Sequence, residues 1–366
     1  YMLLGPTLFA ARLASVVMAL LLAVLSAVMV RRMLGRPLSG VDWLALAAVL
    51  TSPVVVVAGR FARPEIDVAA WTLGMLLCIE ALGREVHGQR RRAWAVAGGV
   101  SAGFAFVMHQ YGVISVAVGL VMATKLWRGR SGLRLGDSGW MLVGTIAAVL
   151  PWVAFVVADL PEFRVQFGAA VANQAWRYPP GALARTLINE LPGRYVLDRQ
   201  DYRLDWDPWS EVARLLLPSI STSEPLWPLR LAVRLVRRPF ELDSMVRTRV
   251  WVLILSVVGL SVASVRMVRH GGLRGTPFVV AGLAWVGALA VVPNKWLGYT
   301  VTPTVLLGLG TYVAVADWSA GGTWRRWGIP GAIALTLAMN GASIFEAWDR
   351  APSSRQETTV ALHNAI

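Results

Sequence analysis

The chain is short of charge, of acid and of cysteine. Only 15% of its 366 residues are charged while 56% are hydrophobic, which excludes a water-soluble domain with an ordinary charged surface. Its single cysteine, Cys78, lies inside an apolar run, so no disulfide can form within the chain. The sequence has no Walker loop, dinucleotide fingerprint or Cys/His metal cluster, which removes the chemistries those motifs carry. The midsections of its apolar runs hold almost no charge, which argues against an ion-coupled path through a bilayer. It also lacks an inverted repeat and a matched pair of Gly/Pro-broken runs of the kind found in secondary transporters. No basic leader or cleavage-site pattern precedes the first apolar run, which begins almost directly after Tyr1. The natural protein is therefore expected to continue upstream.

What is present is a series of long apolar runs. A span needs about 20 predominantly apolar residues, and in lipid such runs satisfy their backbone groups as helices. Ten spans are predicted, at 8–30, 42–59, 66–83, 93–108, 111–127, 139–158, 247–266, 276–292, 298–316 and 326–345. The expected fold class is all-α, a polytopic transmembrane helical bundle with an extracytoplasmic segment of short interfacial helices. The expected division is 1–158, transmembrane helices with a catalytic-face turn at 60–67; 159–246, an extracytoplasmic loop region; 247–345, transmembrane helices; and 346–366, an extracytoplasmic tail.

The formal charge of +14 arises from 35 Lys and Arg against 21 Asp and Glu. The basic residues gather in alternate loops: Arg31, Arg32 and Arg36; Arg84, Arg90, Arg91 and Arg92; Lys125, Arg128, Arg130 and Arg134; Arg266, Arg269 and Arg274; Arg325 and Arg326. If the spans alternate, all of these share one side, which the positive-inside rule makes the cytoplasm. Membrane lipids rather than nucleic acid are the expected contacts of this charge. In the segment from Asp159 to Val246, Arg230, Arg234, Arg237 and Arg238 share one helical face, the pattern of an interfacial helix. Asp201-Tyr-Arg-Leu-Asp-Trp-Asp-Pro-Trp209 mixes carboxylates and rings, as a sugar-binding surface or a membrane interface does. Glu80 and Asp317 fall toward the cytoplasmic ends and are expected to be solvated.

On the opposite side the turns are short and chemically dense. Arg60-Phe-Ala-Arg63-Pro-Glu65-Ile-Asp67 places four ionisable groups between two apolar runs, where they are costly unless they serve a site. His109 and Lys295 lie at other span ends on the same side. Glu65 and Asp67 are the candidate catalytic residues, able to act as a general base or to hold a cation. Arg60, Arg63, His109 and Lys295 are candidates for substrate and phosphate binding. Structural roles compete with these: Arg60, Arg63 and Lys295 as interface anchors, Glu65 as an acidic first-turn residue after Pro64, and His109 as a satisfied core histidine.

The order of an apolar run, the Arg-Arg-Met-Leu-Gly-Arg loop, a second run and then Arg60-Phe-Ala-Arg-Pro-Glu65 resembles the GT-C glycosyltransferases of the protein-mannosyltransferase and aminoarabinose-transferase type. The resemblance continues through His109-Gln-Tyr-Gly112 and Asn294-Lys-Trp-Leu-Gly-Tyr299-Thr-Val-Thr-Pro303, which adds Tyr299 to the candidate binding residues. It implies an inverting enzyme that moves a sugar from a polyprenyl-phosphate donor to a lipid, glycan or protein acceptor on the extracytoplasmic face of a bacterial plasma membrane. It also implies that the principal catalytic Asp lies on a loop upstream of Tyr1, so that residues 1–366 alone are expected to be inactive and Glu65 is auxiliary. No cofactor is assigned; a divalent cation is left open, without ligands. A transporter or flippase for a lipid-linked or anionic substrate is the alternative.

Overall fold

The computed structural model describes residues 8–60, 64–85, 87–119, 134–173, 207–216, 276–290, 297–318 and 327–349, with 189, 250, 257 and 261 singly. Among these residues the regular elements are helices. They are α1 (Leu8–Leu34), α2 (Gly40–Leu50), α3 (Pro53–Arg60), α4 (Glu65–Arg84), α5 (Gly88–Met108), α6 (113–119), α7 (Leu135–Ala158) and α8 (Leu160–Asn173). After them come α9 (Pro208–Leu216), α10 (Thr276–Ala290), α11 (Val301–Trp318) and α12 (Ile329–Asp349). Short 3-10 turns at Gln110–Gly112 and Leu297–Thr300 precede α6 and α11. The chain is a multi-pass membrane protein with an all-helical bundle: four described helices are long and apolar enough to cross a bilayer, or five if the bent α2–α3 pair is one span. The predicted span 247–266 and the amphipathic stretch 229–238 lie outside the described residues, apart from helical positions at 250, 257 and 261.

α4 is apolar around its whole circumference, as a helix surrounded by others must be. It packs against α1, α5, α11 and α3, and 78% of its most apolar window is buried. Ile66, Leu73, Met75 and Ile79 from α4 join Leu22 and Met29 from α1 and Val301, Val305 and Leu306 from α11 in one core. α7 is the opposite case, with 6% of its window buried, so nearly all of its apolar surface faces outward.

Small residues set the spacing of α5 and α7. A β-carbon added at Gly99 would lie 1.9 Å from the carbonyl oxygen of Met141, and one at Gly144 would lie 2.2 Å from that of Val96. These backbones are in direct contact, the packing that small side chains allow between membrane helices. Thr145 Oγ1 donates to the Gly99 carbonyl across the same seam at 3.0 Å.

The 42–59 span is predicted as one helix and is two. α2 and α3 meet at 62°, because Pro53 has no N–H to donate and its ring excludes a continuous helix. Such a break strands backbone acceptors at membrane depth. Asn340 of α12 donates to the freed Ala48 carbonyl at 2.7 Å, so the break is closed by a distant helix.

Ion pairs brace the Arg-rich helix ends. Glu80 bridges Arg32 at 3.1 Å and Arg84. Its side chain is only 13% exposed, so the expectation that it is solvated is corrected. Arg91 binds both oxygens of Asp137 through Nε at 2.9 Å and spends Nη1 on the carbonyls of Leu82 and Glu85. Asp42, wholly buried, accepts from Arg36 at 2.6 and 2.9 Å, from Ser39 and from Tyr312 Oη at 2.5 Å. The Arg36 guanidinium, in the loop, is held charged to higher pH than usual by its hydrogen bonds to Asp42. Gly35, at φ 67°, closes α1 in the left-handed region that Gly adopts without strain, and its N–H reaches the Arg31 carbonyl at 3.0 Å.

Candidate active site

The other end of the bundle carries the end of α3 and start of α4, the turn at 109–112 and the turn at 297–300. α3 ends at Arg60, and α4 starts at Glu65 behind Pro64, whose carbonyl accepts the Val68 N–H at 2.9 Å. Pro64 has no capping side chain, and two acids stand in the first turn of α4, where the helix dipole favours negative charge. Glu65 is 4% exposed. Packing is tight here: a β-carbon on Gly59 would lie 3.0 Å from Ile66 Cδ1.

α5 ends at Met108, His109 is extended, and the 3-10 turn Gln110–Gly112 leads into α6. Gly112 is required by space, since a β-carbon there would lie 1.7 Å from the Ala105 carbonyl oxygen. The Tyr111 N–H donates to His109 Nδ1 at 3.2 Å, and the Gly112 N–H donates to the His109 carbonyl at 2.7 Å. A neutral His109 with Nδ1 accepting carries its proton on Nε2. The rings of His109 and Tyr111 stack at 4.9 Å between centroids.

Tyr299, on the 3-10 turn ahead of α11, closes the group. Its ring centroid lies 5.3 Å from that of His109 and 4.4 Å from that of Tyr111. The turn bearing Tyr299 also packs against α3, the helix that ends at Arg60. Two sequence motifs far apart in the chain thus form one aromatic wall, packed through the Tyr299 turn against α3.

Of the predicted residues, His109 and Tyr299 are in contact, Glu65 and Asp67 share the first turn of α4, and Arg60 ends α3. Arg63 and Lys295 lie outside the described residues. Tyr111, Trp71 and Phe104 were not singled out. Trp71 follows Asp67 by four residues, so both lie on one face of α4, and its ring stacks on Phe104 at 4.9 Å. Asp67 Oδ1 and Trp71 Nε1 are buried without a hydrogen-bond partner among the described residues. That spacing was the available signal. Thr72 and Ser115, hydroxyl to hydroxyl at 2.6 Å, tie α4 to α6 one turn deeper.

Among the described residues no group of three His, Cys, Asp or Glu side chains is placed to hold a metal ion. Asp207, within the predicted sugar-binding stretch, is occupied otherwise. Its carboxylate accepts from the N–H groups of Trp209 and Ser210 and from Ser210 Oγ at 3.1, 3.3 and 2.5 Å, capping α9.

Residues 4–167 match the sequence profile of the dolichyl-phosphate-mannose-protein mannosyltransferases. This segment is similar to that glycosyltransferase family. The matched segment contains α1 to α7 and with them Arg60, Glu65, Asp67, His109 and Tyr111; Tyr299 comes from beyond it. No curated protein matches the chain in sequence. Among solved structures, the crystal structure of ArnT from Cupriavidus metallidurans in the apo state is 20% identical with a TM-score of 0.38, covering 87% of this chain. The chain spans 66% of the length of that structure.

Proposed function

We propose that the protein is a membrane glycosyltransferase of the GT-C type that moves a sugar from a polyprenyl-phosphate donor to an acceptor on the extracytoplasmic face. The observation that carries the reading is the meeting of His109, Tyr111 and Tyr299 on a turn packed against α3, the helix that ends at Arg60, within a chain whose segment 4–167 matches the mannosyltransferase profile. Cations at span ends suit a lipid phosphate, which gains charge as the sugar departs. Arg60, Arg63 and Lys295 take that role. The Nε2–H of His109 is a further donor to phosphate, and Tyr299 packs behind it and fixes its ring.

Glu65 and Asp67 orient the acceptor hydroxyl. A general base takes the acceptor proton as the hydroxyl attacks the anomeric carbon with inversion. The Arg-rich ends face the cytoplasm under the positive-inside rule, which leaves Glu65, His109 and Tyr299 outside.

Sugar transfer tests the reading in membranes containing the protein, with a labelled polyprenyl-phosphate sugar as donor. Glu65→Gln and His109→Ala lower transfer at least tenfold with normal membrane insertion; unchanged transfer in both contradicts the reading. The bent α2–α3 pair is the one feature that favours a transporter, since discontinuous helices line substrate sites there. Movement of labelled lipid across reconstituted vesicles without sugar transfer would support that alternative.

A further inference from the structure

The Arg-rich end carries cations that no carboxylate uses. Arg32 and Arg84 are paired with Glu80, Arg36 with Asp42, and Arg91 with Asp137. Arg92 and Arg134 are exposed and take part in no ion pair among the described residues. The Arg92 guanidinium instead lies 5.7 Å from the centre of the Trp140 ring, within the range of a cation–π contact. Asp137, the acid nearest Arg134 in sequence, is saturated by Arg91 and by the Arg134 N–H at 2.8 Å. The corner therefore keeps its positive charge.

Below Trp140 the outer face of α7 continues as an exposed apolar stripe. Trp140, Val143, Ile146, Leu150, Val153 and Val157 recur at three- and four-residue steps and are all exposed, so they lie on one side of the helix. From the bundle end inward the order is cation, aromatic ring, aliphatic stripe. A phospholipid presents phosphate, ester region and acyl chain in the same order along the membrane normal.

We propose that this corner of α5 and α7 is a binding site for an anionic phospholipid. Its phosphate is held between Arg92 and Arg134, its ester region lies against Trp140, and one acyl chain follows Val143, Ile146 and Leu150. Two exposed cations outside the close ion pairs favour an anionic head over a zwitterionic one. An unbroken apolar stripe along a span favours a lipid chain over a soluble ligand. The inference does not depend on the glycosyltransferase reading, because the site lies at the opposite helix ends.

The test is native mass spectrometry of the full chain released from detergent with phosphatidylglycerol or phosphatidylcholine. Wild-type protein is expected to retain phosphatidylglycerol several-fold more than phosphatidylcholine, and soluble glycerol phosphate does not displace it. The Arg92→Gln/Arg134→Gln variant loses that preference with an unchanged melting temperature, while Arg92→Lys/Arg134→Lys keeps it. Equal retention of both lipids by wild type, or an undiminished preference in the Gln variant, overturns the proposal. Displacement by glycerol phosphate would reduce the site to a phosphate site and overturn the lipid assignment. Efficient disulfide dimerisation of Ile146→Cys in a Cys78→Ala background would overturn it too, by placing a second copy of the chain on the stripe.

Discussion

Tyr111 and Tyr299 meet with ring centroids 4.4 Å apart and planes inclined at 55°. One ring belongs to the segment that matches the mannosyltransferase profile and the other to the turn that opens α11, so this contact fastens the late helices to the early ones at the candidate active site. A tilted aromatic pair contributes about 0.5–1.5 kcal/mol beyond its buried area. Tyr111→Leu and Tyr299→Leu are expected to be non-additive by about 1 kcal/mol in thermal unfolding of the detergent-solubilised protein. Additive effects would mean that the rings are not in contact in solution.

The α5–α7 seam predicts a severe effect from a small change. Gly99→Val would drive side-chain atoms into the Met141 carbonyl, which a built β-carbon already meets at 1.9 Å. The backbones must separate, and the Thr145 hydrogen bond to Gly99 is lost with them. The expected result is loss of monodisperse protein on size-exclusion chromatography, whereas Gly136→Ala, with open space around its β-carbon, behaves as wild type.

Arg91 and Asp137 are both almost fully enclosed. Removing one partner leaves an uncompensated buried charge, which costs on the order of 3 kcal/mol. Arg91→Met and Asp137→Leu should each lower the melting temperature strongly, while the double variant recovers part of the loss. A double variant as unstable as the sum of the two would count against a coupled pair.

The Asp207 cap gives a pH prediction. Hydrogen bonds from Ser210 hold its carboxyl below the usual aspartate range, so the folded state favours the charged form. The stabilisation is complete above the ordinary aspartate pKa of about 3.9 and is lost as pH falls through the lowered folded value. Protection factors in α9, taken relative to the intrinsic exchange rate at each pH, should therefore be flat between about pH 7 and pH 5 and fall only at more acid pH. Asp207→Ala should exchange faster throughout.

Sequence reading reached as far as local signals carry. Apolar runs located α1, α4, α7, α10, α11 and α12, because burial in lipid or in a bundle demands the same composition. Glu65 and His109 stand out as polar groups at span ends, and Tyr299 through the resemblance of its motif to the GT-C enzymes. The bend between α2 and α3 was missed although Pro53 was visible, because the answering donor, Asn340, lies in the last helix. Glu80 was read as solvated for the same reason: its partner Arg32 comes from α1. Tyr111 was passed over since only the folded chain brings it against Tyr299. Contacts between distant segments leave no period in the sequence.

The most direct test is photo-crosslinking of the purified protein with a diazirine-bearing polyprenyl phosphate, read out by peptide mapping. The account predicts adducts in the segments around Pro64–Val68, His109–Gly112 and Leu297–Thr300, suppressed by excess unlabelled polyprenyl phosphate and by His109→Ala. Labelling confined to the Arg-rich helix ends, or labelling of the predicted segments that excess ligand does not suppress, would contradict it.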